Sequence, residues 1–166
     1  MIKHVPAFAL LALVSPAAGQ EQTLSPAQVQ FAAITSWEGR WQVAETDALE
    51  IVFEITARGK TVVERWETTA GLHSMTVYHL DGDRVMATHY CPQGNQPRLE
   101  SITGDPGTID FRFRDVTDLD EGESHTFTLQ YQNLADGGLK RTEVYRGPEG
   151  LGKPSSYTLS RATAGK

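Results

Sequence analysis

A single cysteine, Cys91, stands among 166 residues, so no internal disulfide can form and a disulfide-stapled scaffold is excluded. In an oxidising compartment such a thiol is buried, joined to another chain or used chemically. Positive charge is also scarce. Fifteen Lys and Arg face 21 Asp and Glu, for a formal net charge of −6, and no basic stripe interrupts the acidic balance. This argues against nucleic acid and anionic membranes as partners. Long apolar runs are missing as well. The almost wholly apolar stretch Val5 to Val14 is about half of the ~20 residues a spanning helix needs, so no membrane span is expected. There is no phosphate loop, nucleotide motif, serine-elbow motif, internal repeat or low-complexity tract.

The chain opens with an address. Lys3 and His4 precede the apolar run, and Ser15-Pro16-Ala17-Ala18-Gly19 supplies small residues for cleavage. That is the layout of a secretory signal peptide. Residues 1–19 are read as the signal peptide and 20–166 as one domain, in the periplasm or secreted. No cysteine stands at the cleavage region to carry a lipid.

Ser25-Pro26 then predicts a helix start, with Ser as N-cap and Pro at the first helical position. Val29, Ala32 and Ala33, with Ile34 beside them, give an apolar stripe up to Trp37. The expected role is a plug across one end of a barrel. From Gly39 the period changes to two. Leu49, Ile51, Phe53 and Ile55 alternate with Glu50, Val52, Glu54 and Thr56. In the next strand Glu64 shares a face with Val62 and Trp66. Ile109, Phe111 and Phe113 form another face, and His125, Phe127, Leu129 and Tyr131 a third. Asp105-Pro106-Gly107 and Asp136-Gly137-Gly138 turn the chain. The fold class expected is all-β: an antiparallel up-and-down β-barrel of about ten strands with one short N-terminal helix.

The stretch from His73 to Arg98 holds three of the five histidines, the cysteine and an amide-rich loop. It reads as two strands joined near Asp81-Gly82. A three-residue loop pairs Met75 with His89 and His73 with Cys91. A two-residue turn at Asp81-Gly82 pairs Met75 with Thr88 and His73 with Tyr90. The two choices present opposite faces to the interior. Four uses of this stretch are open. In a ligand pocket, Phe53, Trp66, Met75, Phe111 and Phe127 form the wall and Glu64, His73, His89 and Tyr90 the polar groups. Asn95 and Gln96, with Arg98 after them, sit at the rim. As a metal site, His73, His89 and Cys91 suit zinc or copper, though their spacing matches no standard motif. A Cys91 nucleophile with His89 as base is disfavoured. Residues i and i+2 of a strand stand roughly 6.5–7 Å apart at Cα, and no oxyanion hole is evident, which points away from an enzyme. In a filled barrel, these side chains satisfy one another, and the protein is a structural or interaction module. The acidic loop 118–123 lacks the ordered ligand spacing of a calcium loop.

The helix followed by Gly39-x-Trp41 on the first strand resembles the opening of lipocalin-like (calycin) barrels. That resemblance implies a basic residue from a late strand packed over Trp41, with Arg161 the first choice and Arg146 the second. A count of about ten strands is more similar to the fatty-acid-binding and nitrobindin-like branches than to eight-stranded lipocalins. No equivalent of the nitrobindin haem histidine stands in the last strands. The block Thr88-His89-Tyr90-Cys91 with Gly94-Asn95-Gln96-Pro97 also resembles a group of secreted bacterial proteins of unknown function with lipocalin-like folds. That second resemblance carries no known activity; the expected role, from the size of the barrel and its pocket residues, is binding of a small molecule, with the cofactor unknown.

Overall fold

The computed structural model describes residues 23–105 and 107–162; the expected signal peptide, residues 1–19, lies outside them. Helix α1 (Pro26–Thr35) begins as its sequence asks. Gln28 N donates to Ser25 Oγ at 3.2 Å, and Ser25 N donates to Gln28 Oε1 at 2.8 Å, a complete capping box with Pro26 in the first turn. The buried face is Ala27, Phe31 and Ile34. The expected stripe holds only in part: Ile34 is fully buried and Ala33 packs against the core, but Val29 is 54% exposed and Ala32 faces solvent. Residues two apart lie roughly 200° apart on a helix, so Val29 and Phe31 cannot both face the core. The aromatic ring carries more apolar area and takes the inner position.

The strands are β1 (Gly39–Val43), β2 (Thr46–Thr56), β3 (Thr61–Thr68), β4 (Gly71–Asp81), β5 (Arg84–Tyr90), β6 (Gln96–Ile102), β7 (Thr108–Thr117), β8 (His125–Asn133), β9 (Leu139–Gly147), β10 (Gly150–Leu151) and β11 (Ser155–Arg161). Successive strands pair antiparallel from β1 to β9. Then β11 pairs with both β9 and β1, which closes the sheet. Among the described residues, ten strands form this closed barrel, and β10 is a two-residue addition to the edge of β9. Closure removes the unpaired edges that an open sheet would expose.

Two details of register differ from expectation. The central hairpin pairs Asp81 with Arg84, Thr76 with His89 and Met75 with Tyr90. The turn residues are thus Gly82 and Asp83, neither of the two expected loops. Gly82 has φ +61° at the first central position, where a type II′ hairpin places glycine; the expected Asp-Gly turn is type I′. Ser74, Thr76 and Tyr78 consequently point inward with Val85, Ala87 and His89, while Met75 lies on the other face. In β8 the register shifts between Thr126 and Thr128, so the face expected to run unbroken from His125 to Tyr131 is interrupted at Phe127.

The helix end of the barrel is closed by aromatic packing. Trp37 sits 4.6 Å from Tyr131 and 5.5 Å from Phe53, ring centre to ring centre. Trp41 Nε1 donates to the Trp37 carbonyl at 2.8 Å. Arg161 covers the Trp41 ring at 4.5 Å, and its guanidinium donates to the carbonyls of Glu38 and Ser36 at 2.6 and 2.7 Å. Gly39 is needed here. Its φ is +122°, and a Cβ would come within 3.2 Å of the Arg161 guanidinium.

Candidate functional site

Beyond the apolar helix end, the barrel interior becomes polar. Alternation in β3 carries Glu64 inward between Val62 and Trp66, and the same alternation in β9 carries Arg141 and Glu143 inward after Leu139. Glu64 is completely buried. It accepts from Tyr78 OH at 2.5 Å, from Trp66 Nε1 at 2.7 Å and from Arg141 Nε at 3.0 Å. Arg141 Nε also lies 3.0 Å from Tyr131 OH, and Tyr131 OH is 3.2 Å from Tyr78 OH. The Arg141 guanidinium stacks 4.5 Å from the centre of the Trp66 ring. Burial by itself would raise the Glu64 carboxyl, but the charge of Arg141 and the Tyr78 and Trp66 donors outweigh it and hold the group below its ordinary value. Burial and the Glu64 charge push the phenols of Tyr78 and Tyr131 well up, so both stay protonated as donors.

One layer nearer the opposite end, the network is incomplete. Arg141 Nη1 lies 2.8 Å from Glu143 Oε2, yet neither atom makes a directed hydrogen bond. Both are buried, so the pair is held by charge and not by an aligned hydrogen bond. Two carboxylates, Glu64 and Glu143, thus share one guanidinium. Above them opens a recess of about 210 Å³ lined by Trp66, His73, Ser74, His89, Pro92, Glu143, Tyr145, Ser155 and Tyr157. Tyr157 meets Trp66 edge-on at 5.0 Å. His89 Nδ1 is 3.0 Å from Thr76 Oγ1. Burial, aided by the nearby charge of Arg141, lowers His89 to about 4, so its ring is neutral at physiological pH. Burial and the Glu143 charge push the Tyr145 phenol up to about 12.

The sequence-predicted residues divide into two groups. Glu64, Trp66, His73 and His89 meet in or beneath the mouth. Met75 and Tyr90 pair with each other on the other face of their strands, and Tyr90 is 42% exposed. Arg98 binds Asp115 through two hydrogen bonds at 2.5 and 2.7 Å in an exposed pair. Asn95 is fully buried and donates to Glu123 Oε2 at 2.8 Å and to the Ser124 carbonyl at 3.2 Å. Gln96 accepts from Thr117 Oγ1 at 2.7 Å and donates to the Gly94 carbonyl. The amide loop thereby braces the acidic loop beside it. Cys91 follows β5, half-buried, and among the described residues no three of His, Cys, Asp and Glu gather to hold a metal ion.

Sequence reasoning missed Arg141, Glu143, Tyr131, Tyr145 and Tyr157 as site residues. The signal for the first two was available: with Leu139 inward, period two places Arg141 and Glu143 on the same face. No protein-family model matches the chain, and no curated protein matches it.

Proposed function

We propose that this is an exported, lipocalin-like (calycin-type) binding protein that holds a small molecule at the open mouth of its barrel. The observation that carries the reading is the incomplete layer. The buried ion pair of Arg141 Nη1 and Glu143 Oε2, 2.8 Å long but not aligned as a hydrogen bond, ends at a recess that Glu143 lines together with aromatic and histidine side chains. A recess that sets a few placed polar groups among aromatic walls is the arrangement of a small-molecule site, and a filled barrel has no need of one. The recess, about 210 Å³, falls below the ~300 Å³ at which drug-sized pockets begin. Its occupant is therefore a compact molecule or head group, not a long acyl chain or a haem. Glu64, Tyr78 and Tyr131 do not reach the ligand. They fix Arg141, which in turn orients Glu143.

The reading is tested with untagged protein recovered from the exporting host. Native mass spectrometry should show a small-molecule adduct that Tyr157→Ala removes and Asn95→Ala retains. Absence of any adduct, together with Trp66 fluorescence indifferent to a broad set of small polar molecules, would overturn it. The same preparation tests the address. The first residue should fall between Ala18 and Gln22, whereas an intact Met1 on cytoplasmic protein would contradict export.

A further inference from the structure

The chemistry of the mouth narrows the class of ligand. Glu64 and Glu143 face the single guanidinium of Arg141, and His89 is neutral, so the group formally carries one surplus negative charge. Glu143 is 5% exposed and lines the recess. Its Oε2 is turned toward Arg141 at 2.8 Å. Three aromatic rings, Trp66, Tyr145 and Tyr157, complete the wall. The negative faces of such rings favour a cation and disfavour an anion. Arg141 does not line the recess and is already stacked on Trp66 and bonded to Glu64, so the charged side chain lining the recess is the Glu143 carboxylate.

We infer that the recess binds a small organic ammonium ion, which donates to the Glu143 carboxylate and packs against Trp66 and Tyr157. The inference rests on the mouth being a binding site, as proposed above. Bound ammonium restores charge balance: two carboxylates then face two cations. Volume supports a compact amine, and the carboxylate supports one with N–H groups over a fully alkylated ion.

Three size-matched probes decide the point: ethanolamine, which is cationic at neutral pH, ethylene glycol, which is neutral, and glycolate, which is an anion. Each is titrated into the folded, exported protein at low salt while the indole N–H resonance of Trp66 is followed by NMR. Ethanolamine should bind saturably and at least about tenfold more tightly than ethylene glycol, as expected for a hydrogen bond to a charged group. Glu143→Gln keeps the shape and removes the charge, and should abolish that preference. Tyr157→Leu, at a half-exposed site that threatens folding less, should weaken ethanolamine binding severalfold. If glycolate or ethylene glycol binds as well as ethanolamine, the mouth binds small molecules but the ammonium assignment is wrong. If none of the three moves any recess resonance, the ammonium assignment falls, while the binding reading stands or falls with the adduct found by native mass spectrometry. An unchanged ethanolamine preference in Glu143→Gln would likewise overturn the assignment.

Discussion

Replacing Arg141 with methionine removes the cation that Glu64 and Glu143 share while keeping most of the side-chain volume. In the native barrel Arg141 and Glu64 are 1% and 0% exposed, with Nε and Oε1 3.0 Å apart. Stripping one partner from a buried pair of this kind leaves an uncompensated charge and costs about 3–5 kcal/mol. That is a large part of the ~5–15 kcal/mol that holds a domain together. The penalty depends on pH in a direction that can be worked out. In the native protein Glu64 lies below its ordinary value of 4.5, so its contribution is present above that pH and is lost as pH falls through the lower, folded value. Without Arg141, burial dominates and the carboxyl rises above 4.5. The variant then gains protons on folding, and its stability falls as pH rises through the raised value. His89 shifts the balance the same way, because Arg141 helps to depress it. The gap between variant and native protein should therefore be widest at pH 7 and should narrow toward pH 4, by about 1.4 kcal/mol for each unit of altered pKa. Urea unfolding at pH 4, 5.5 and 7 measures it. A second variant, Glu64→Gln with Arg141→Met, should recover much of the loss at pH 7, since the buried carboxylate is gone too. A loss below ~1 kcal/mol at pH 7, or a gap that widens on acidification, would refute this account of the buried centre.

Trp41→Ala should cost about 3–5 kcal/mol by chemical denaturation, because the ring is 1% exposed between the barrel core and Arg161; a loss below ~1 kcal/mol would mean that this ring does not anchor the barrel end. Gly39→Ala should cost more than ~1 kcal/mol, since φ +122° strains any side chain and the new Cβ presses on Arg161; an unchanged melting temperature would contradict that. Asn95→Ala should lower stability by about 1–3 kcal/mol and leave ligand binding intact, and loss of binding without loss of stability would return the amide loop to the site. The His89 ring should show no NMR titration between pH 5.5 and 8. Because its folded value is about 4 against an ordinary 6.5, it should remove stability as pH falls across that interval, by on the order of 3 kcal/mol; a midpoint near 6.5 would show that the ring is solvated.

Period two carried the reading of this fold a long way. The inward placement of Glu64 followed from Val62 and Trp66 alone, and the cover of Trp41 by Arg161 followed from the Gly-x-Trp resemblance. What failed was register. An Asp-Gly-Asp turn admits more than one loop, each step of one residue exchanges the two faces, and the hairpin chose the step at which Gly82 supplies the positive φ. That choice decided that His89 and Thr76 face inward and that Met75 and Tyr90 do not. The helix misled in part for a different reason: three small apolar residues suggested a stripe, whereas the core took Ala27 and the one large ring, Phe31, along with the expected Ile34. The mouth itself was only partly legible. Glu64 on β3 and Arg141 on β9 are 77 residues apart, and their pairing depends on closure of the barrel, which no local pattern encodes.

The covering of Trp41 by Arg161 also bears on how the chain folds. Arg161 reaches back 123 residues to the Glu38 carbonyl, and the seam between β1 and β11 that it fastens has a register of three pairs, Trp41 to Val43. Contacts so distant in sequence form late, after most of the loop-closure entropy has been spent, which places a barrel of this type among the slower folders, in milliseconds to seconds. Until the seam zips, β1 and β11 each offer a bare edge to any other chain in the same state. The guanidinium that shields an indole in the finished barrel thus also latches its closing seam, and a chain without that latch would be prone to exchange strands with a second copy.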